Sequence, residues 1–372
     1  MSSVQGRVDL SSFWVQEEFG ITEPNPFDMP LDSFVEYNAK KSKLLYEKFG
    51  QFGIGQKEPE MVYPALQHDG RNVCACAYGG PYPTWDSKTG SFWHARDFIP
   101  WRNLQSVKDV EQIKIPDWAK VHMVQGMLTK FEEMKKQTKY TVPKTPCIPW
   151  NKFGFTTPGG TIYEFAHFMS FLDLGCFMCG ETEFFTILGG EEKIADALMD
   201  KCFELSTSYS EFMLKAYGQS AVIGLSSFGG DNSCMLSPAM YKKYAISFDL
   251  KIIEKYGDLP ANLHSCGPSS HLYDIWGEYP NLKNIVLMQT RGIPNELHRL
   301  RKALPYTFLE ITLHQPQFDF ENETPENIAR ITEHYVEQAD GRDIVLVIVI
   351  NRAGKKVDKN IETFYKAMRQ YS

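Results

Sequence analysis

The chain has 372 residues, 43% of them hydrophobic, with a formal charge of −7 and a pI near 5.8. That length supplies a sizeable core, in one large α/β barrel with extensions or in more than one domain. The acidic balance argues against nucleic acid as a partner, because gripping phosphates needs a basic face. No apolar run reaches about 18 residues, so no membrane span is expected. Residues Met1 to Arg7 contain no apolar signal core. A cytoplasmic protein is expected, with its eight cysteines held as reduced thiols.

Residues 1–110 read as irregular apart from a helix over Phe34–Phe49, where Phe34, Tyr37, Leu44, Leu45 and Phe49 share one side. Between 58 and 105, strand-like pieces alternate with turn residues such as Gly79-Gly80-Pro81 and Asp86 to Gly90, which suggests a β-hairpin. A helix is expected over about 119–138. Trp14, Trp85, Trp93, Trp101, Trp118 and Trp150 all fall in the first 150 positions. They form either a structural cap or a wall for a flat apolar ligand.

From about residue 140 an alternation sets in. Helices are expected over about 161–172 and from Gly190 to about Tyr217. Strands are expected at Ala221–Leu225, Pro260–Leu263, Asn284–Met288, Thr307–Ile311 and Ile344–Ile350, the last fully apolar as a buried parallel strand should be. Between them, Ser237 followed by Pro238 and Thr324 followed by Pro325 read as helix N-caps with proline at the first helical position. Helices are also expected to start at Ser269, to span Ile293–Ala303, and to close the chain over Asn360–Gln370. Strand, helix, strand with short connections argues for a parallel sheet. The count favours an α/β fold of the (β/α)8 TIM-barrel kind over 119–372, with an aromatic-rich N-terminal extension over 1–118. No glycine-rich dinucleotide fingerprint or phosphate-binding loop is present.

In such a barrel the working residues sit at the C-terminal strand ends. Those positions carry Asp231 and Cys234, then His264 and Cys266, then Arg291, then His314, then Asn351 and Arg352. His264 and Cys266 are two apart, so on a strand they share a face, and imidazole with thiolate suits Zn²⁺. Other signals have plainer readings. Cys176 and Cys179 form a C-x-x-C among apolar neighbours and read as buried structural thiols. Cys74 and Cys76 would share one strand face, His167 reads as a satisfied core histidine, and His94 with Arg96 would cover the mouth or sit on the hairpin.

The segments Gly230-Asp231, Leu236 to Tyr241, His264-Ser265-Cys266-Gly267 and Thr324 to Asn327 resemble, in order and spacing, the uroporphyrinogen decarboxylase superfamily. The resemblance covers about 160–372 and is to the cobalamin-dependent methyltransferase branch, with the H-x-C-G element its most specific part. It implies a TIM barrel, zinc held by His264 and Cys266, and a partner corrinoid protein that supplies the cobalamin. It also implies a small methylated substrate, a methoxylated aromatic before a methylamine or methanol. Asp231 and Arg291 are then the candidate catalytic groups, Asp231 as third ligand or as partner to a ligand, with Trp93, His94, His314 and Asn351 against the substrate. The sequence leaves the oligomeric state open, a homodimer included. Two departures stand out. The coenzyme M-type members carry a third ligand Cys at the end of the last strand, where this chain has Ile350-Asn351-Arg352. The third ligand then comes from Cys234, Asp231, Glu310 or His314, or zinc is lost. The arginine-rich N-terminal motif of the true decarboxylases is missing from residues 1–60. The alternative is a divergent decarboxylase-like lyase, or a binding barrel without zinc.

Overall fold

The computed structural model of the protein describes residues 4–25, 27–61, 70–88, 91–93, 98–136, 139–140, 170–217, 226–257, 260–280, 282–291, 296–313 and 318–371. The strands are β1 (Val4–Leu10), β2 (Thr84–Asp86), β3 (Ser91–Trp93), β4 (Ser226–Gly230), β5 (Ala261–Cys266), β6 (Ile285–Arg291), β7 (Phe308–Leu313) and β8 (Ile344–Ile350). Strands β2 and β3 make the small two-stranded sheet expected in this region, and the other six form one sheet in the order β1-β8-β7-β6-β5-β4. The chain divides into two compact units. One comprises Met1–Tyr63, Trp85–Phe92 and Ser265–Ser372, the other Pro64–Thr84 and Trp93–His264.

In the first unit β6, β7, β8 and β1 run parallel, with Leu309 opposite Ile344 and Val4 opposite Ile344 on its other side. Strand β8 reads Ile-Val-Leu-Val-Ile-Val-Ile and is almost wholly buried, because β-branched side chains fit a pleated surface covered on both faces. Parallel neighbours need crossovers. The helices Leu297–Ala303 and Pro325–Gln338 supply them between β6, β7 and β8. The helix Lys355–Met368 lies so close to β1 that a Cβ on Gly6 would meet Met368 and Phe364 at 2.9 Å. Val4 and Val8 are buried on that side, and Arg7 points to the opposite face.

There, Arg7 donates to both carboxylate oxygens of Glu310 at 3.1 and 3.2 Å, and Gln289 Nε2 donates to the same carboxylate at 3.2 Å. Glu310 is only 4% exposed. The clasp therefore joins β1 to β7 across β8 and pins the register of the first strand. The irregular reading of residues 1–110 gives no hint of β1, since Val4-Gln5-Gly6-Arg7-Val8-Asp9-Leu10 is too short and too mixed to stand out.

The second unit carries β4, most of β5 and the helices Gly70–Ala77, His122–Lys136, Phe171–Cys179, Glu181–Gly189, Glu192–Ala216 and Ser247–Tyr256. The expected N-caps are present: Ser237 accepts from the Met240 amide at 3.3 Å and Thr324 from the Asn327 amide at 3.2 Å. Three strands run further than expected, β7 by two residues to Leu313. Strand β5 continues through His264 to Cys266 and β6 through Arg291, because backbone pairing does not stop where side chains turn polar. Cys74 and Cys76 lie on a helix, Gly70–Ala77, not a strand. The expected strand Ala221–Leu225, most of the helix over 161–172, and the segment around Thr141 and Val142 lie outside the described residues. Among those described, the sheet has six strands and ends at β1 and β4. No described helix is long and apolar enough to cross a membrane.

Replacing Arg7 with Met leaves Glu310 charged and buried without its partner. We expect a loss of about 2 kcal/mol in chemical denaturation, below the ~3–5 for a fully buried pair because Arg7 is partly in water. The R7M/E310Q double variant should recover most of that loss.

Candidate metal centre and adjoining cavity

The end of β4 is built on close approach. Gly229 has φ 73° and Gly230 φ 149°, and any side chain at either position would collide. A Cβ on Gly229 would lie 2.5 Å from the His264 carbonyl of β5, and one on Gly230 would strike Ser170 and Asp173 at the start of the helix Phe171–Cys179. Glycine is needed here for both its conformation and its size. The Ser170 hydroxyl donates to the Gly229 carbonyl, and the buried Asp249 accepts from the Gly229 amide at 3.4 Å.

Past the glycines, the chain is gripped by Asp173. Its carboxylate accepts from the Asp231 amide at 2.9 Å, the Asn232 amide at 3.1 Å and the Asn232 side-chain amide at 3.1 Å. Burial, and then the neighbouring Asp231 carboxylate, raise the pKa of Asp173, while these N–H donors and Arg71 oppose the rise. Asp173 was not among the residues expected from sequence. Its one sequence signal is its place at the third position after Ser170, where that serine caps the helix by accepting from the Asp173 amide at 3.3 Å.

Held in this way, Asp231 faces an imidazole and a guanidinium. Its Oδ1 lies 2.7 Å from His264 Nε2 and its Oδ2 lies 3.4 Å from the Arg71 guanidinium. His264 is on β5, and Cys266 follows two residues along the same strand. Asp231, His264 and Cys266 each offer a ligand atom within 4.8 Å of the others, and all three are half-buried. One carboxylate, one imidazole and one thiol within reach of a single cation match the donor preferences of Zn²⁺. Among the described residues this is the one grouping of its kind.

A cavity of about 1020 Å³ opens beside Asp231. Arg71, Asp173 and Asn232, all bonded to Asp231 or its neighbour, form part of its wall, and Phe98, Ile99 and Phe177 supply apolar surface. Its volume lies in or just above the range usual for small-molecule sites.

The other expected site residues fare unevenly. Arg291 ends β6, is exposed, and its carbonyl accepts from the Gly267 amide at 3.1 Å. Asn351 is exposed, and its backbone amide is tied to Glu321 at 2.6 Å. Glu310 is occupied by Arg7 and Gln289, and it does not join the three candidate ligands. His94, His314, Arg96 and His167, and the side chain of Trp93, lie outside the described residues. Cys176 and Cys179 are buried at 4% and 1% exposure. Burial raises the Cys176 thiol and, with Glu183, pushes Cys179 up to about 12.

The structure is similar to a solved methyltransferase from Methanosarcina mazei, with a TM-score of 0.53 and 13% sequence identity over 98% of this chain and 94% of that one. At that identity the likeness is one of fold, over nearly the full length of both chains. No family model and no curated protein matches the sequence.

Two outcomes follow from this arrangement. Alkylation by iodoacetamide near neutral pH should modify the half-buried Cys266 and spare Cys176, Cys179 and Cys202, whose burial holds them as thiols; peptide mass mapping reads the pattern, and added zinc should protect Cys266. Replacing Asp173 with Asn sets an amide N–H₂ where one of the two accepting oxygens stood, against at least one of the three N–H donors, and should weaken zinc binding about 10- to 100-fold in isothermal titration by releasing Asp231.

Proposed function

We propose that the protein is a zinc-assisted methyltransferase on a (β/α)8 barrel. It moves a methyl group between a small methylated substrate, a methoxylated aromatic before others, and a corrinoid carried by a partner protein. The observation that carries this reading is the joining of a carboxylate, an imidazole and a thiol next to a cavity lined mostly by polar residues and also by Phe98 and Phe177. The pairing of the first strand with the last, β1 with β8, supports the barrel, in which first and last strands are neighbours. The fold likeness to a methyltransferase points the same way.

When bound, zinc supplies a Lewis acid that polarises the ether oxygen, and the corrinoid takes up the methyl group. The residues of the chain do the positioning. His264, Cys266 and Asp231 hold the metal, with the thiol as thiolate and one coordination position left to substrate. The Asp231 carboxylate takes the place of the last-strand cysteine of the coenzyme M-type members. An oxygen donor gives the metal less electron density than a second thiolate, which suits activation of an ether oxygen better than capture of a thiol. Phe98 and Phe177 offer faces to an aromatic ring. Asp173 keeps Asp231 from swinging away.

Metal analysis of protein purified without chelators tests the site: about one zinc per chain is expected in the wild type, and much less in H264A and C266A. Mixing the zinc-loaded protein with cob(I)alamin and a methoxyarene should produce the methyl-cobalamin spectrum. A wild type without zinc that forms no methyl-cobalamin from any methoxyarene, methylamine or methanol sinks this reading in favour of a decarboxylase-like lyase or a binding barrel.

A further inference from the structure

We infer that Arg71 is the anion-binding residue of this cavity, and that the ligand it takes is an aryl oxyanion, the phenolate released when a methoxyarene loses its methyl group. The inference rests on the reading above and names a residue that neither the sequence pattern nor the resemblance singles out. Arg71 comes from the helix Gly70–Ala77, far along the chain from the strand-end motifs.

Three observations support it. Arg71 lines the cavity and also lies 3.4 Å from Asp231, so its guanidinium sits where the metal site and the cavity meet. Its side chain is 38% exposed, open enough to accept a ligand. And its charge is shared with a carboxylate that the metal also needs. A divalent cation held by Asp231 would draw on the carboxylate whose Oδ2 pairs with Arg71, which would leave more of the guanidinium field to an anion in the cavity. A planar guanidinium beside aromatic surface, here Phe98 and Phe177, suits a flat ligand with its oxygen at one edge. Demethylation would break the O–CH3 bond, its electron pair staying on the aryl oxygen while the corrinoid, when bound, would supply the nucleophile that accepts the methyl group. The oxyanion then needs a positive partner in a site of low dielectric. Arg291, at the exposed end of β6, lines no part of this cavity.

The test is binding, read apart from turnover. Zinc-loaded wild type is titrated with 4-nitrophenol across its own ionisation, and the yellow anion reports which form is bound. The expected result is preferential binding of the anion, a loss of about tenfold or more in R71Q, and partial retention in R71K, which keeps the charge but not the fork. Arg102 lines the same cavity, and R102Q should change anion binding by about twofold at most. Unchanged anion binding in R71Q with zinc still bound overturns the assignment and leaves the metal reading intact. Equal losses in R71Q and R102Q overturn it as well, because the cavity's general field would then hold the anion. Wild type that takes up no zinc counts against the reading above, and the metal assay on the same samples shows this separately.

Discussion

The grip of Asp173 on the turn after β4 is the interaction on which the site depends. Without it, Gly229-Gly230-Asp231 is a glycine-rich loop end with few reasons to hold one conformation. With it, three N–H groups converge on a half-buried carboxylate, and Asp231, on the gripped turn, is aimed at His264. The cost of burying Asp173 shows in its raised pKa. Hydrogen bonds to the charged form offset that cost in part. The two glycines are the other half of the device, since any larger residue would push β4 away from β5 and from Ser170.

The same logic, a carboxylate that fixes backbone or strand position, recurs in the sheet. Glu310 gathers Arg7 and Gln289 and ties the first strand to the last three. A buried ion pair is a poor source of net stability against an apolar alternative, but it is specific about register. Here it holds a short and mixed strand that has little apolar surface of its own. Glu321 and Glu17 act similarly beyond β8, where they accept from the amides of Asn351, Arg352 and Ala353. The end of the last strand is thereby given over to holding the chain.

How far the sequence could be read follows from what each feature depends on. Strand β8 and the caps at Ser237 and Thr324 were legible because they rest on local rules, an unbroken β-branched run and a hydroxyl three residues before a free amide. His264 and Cys266 were legible as a pair because two-residue spacing on a strand has one outcome. Asp231 was named, with three alternatives for the same role, and it is the packing of β4 against β5 that brings it to His264. Strand β1 was missed because its identity comes from its partner β8 and not from its own pattern. Asp173 and Arg71 were missed because they sit on helices whose sequences announce only a capped start and a pair of cysteines. Their roles arise from contacts 58 and 160 residues away in sequence, and single-sequence periodicity carries no information at that range.

On the proposed function, one imidazole, one thiolate and one carboxylate share a zinc ion. X-ray absorption at the zinc edge measures that ligand set directly. A first shell is expected with a single sulfur at about 2.3 Å and the remaining ligands nitrogen or oxygen at about 2.0–2.2 Å, with the sulfur lost in C266A. A shell containing two or more sulfurs, or a zinc spectrum unchanged in C266A, would contradict it.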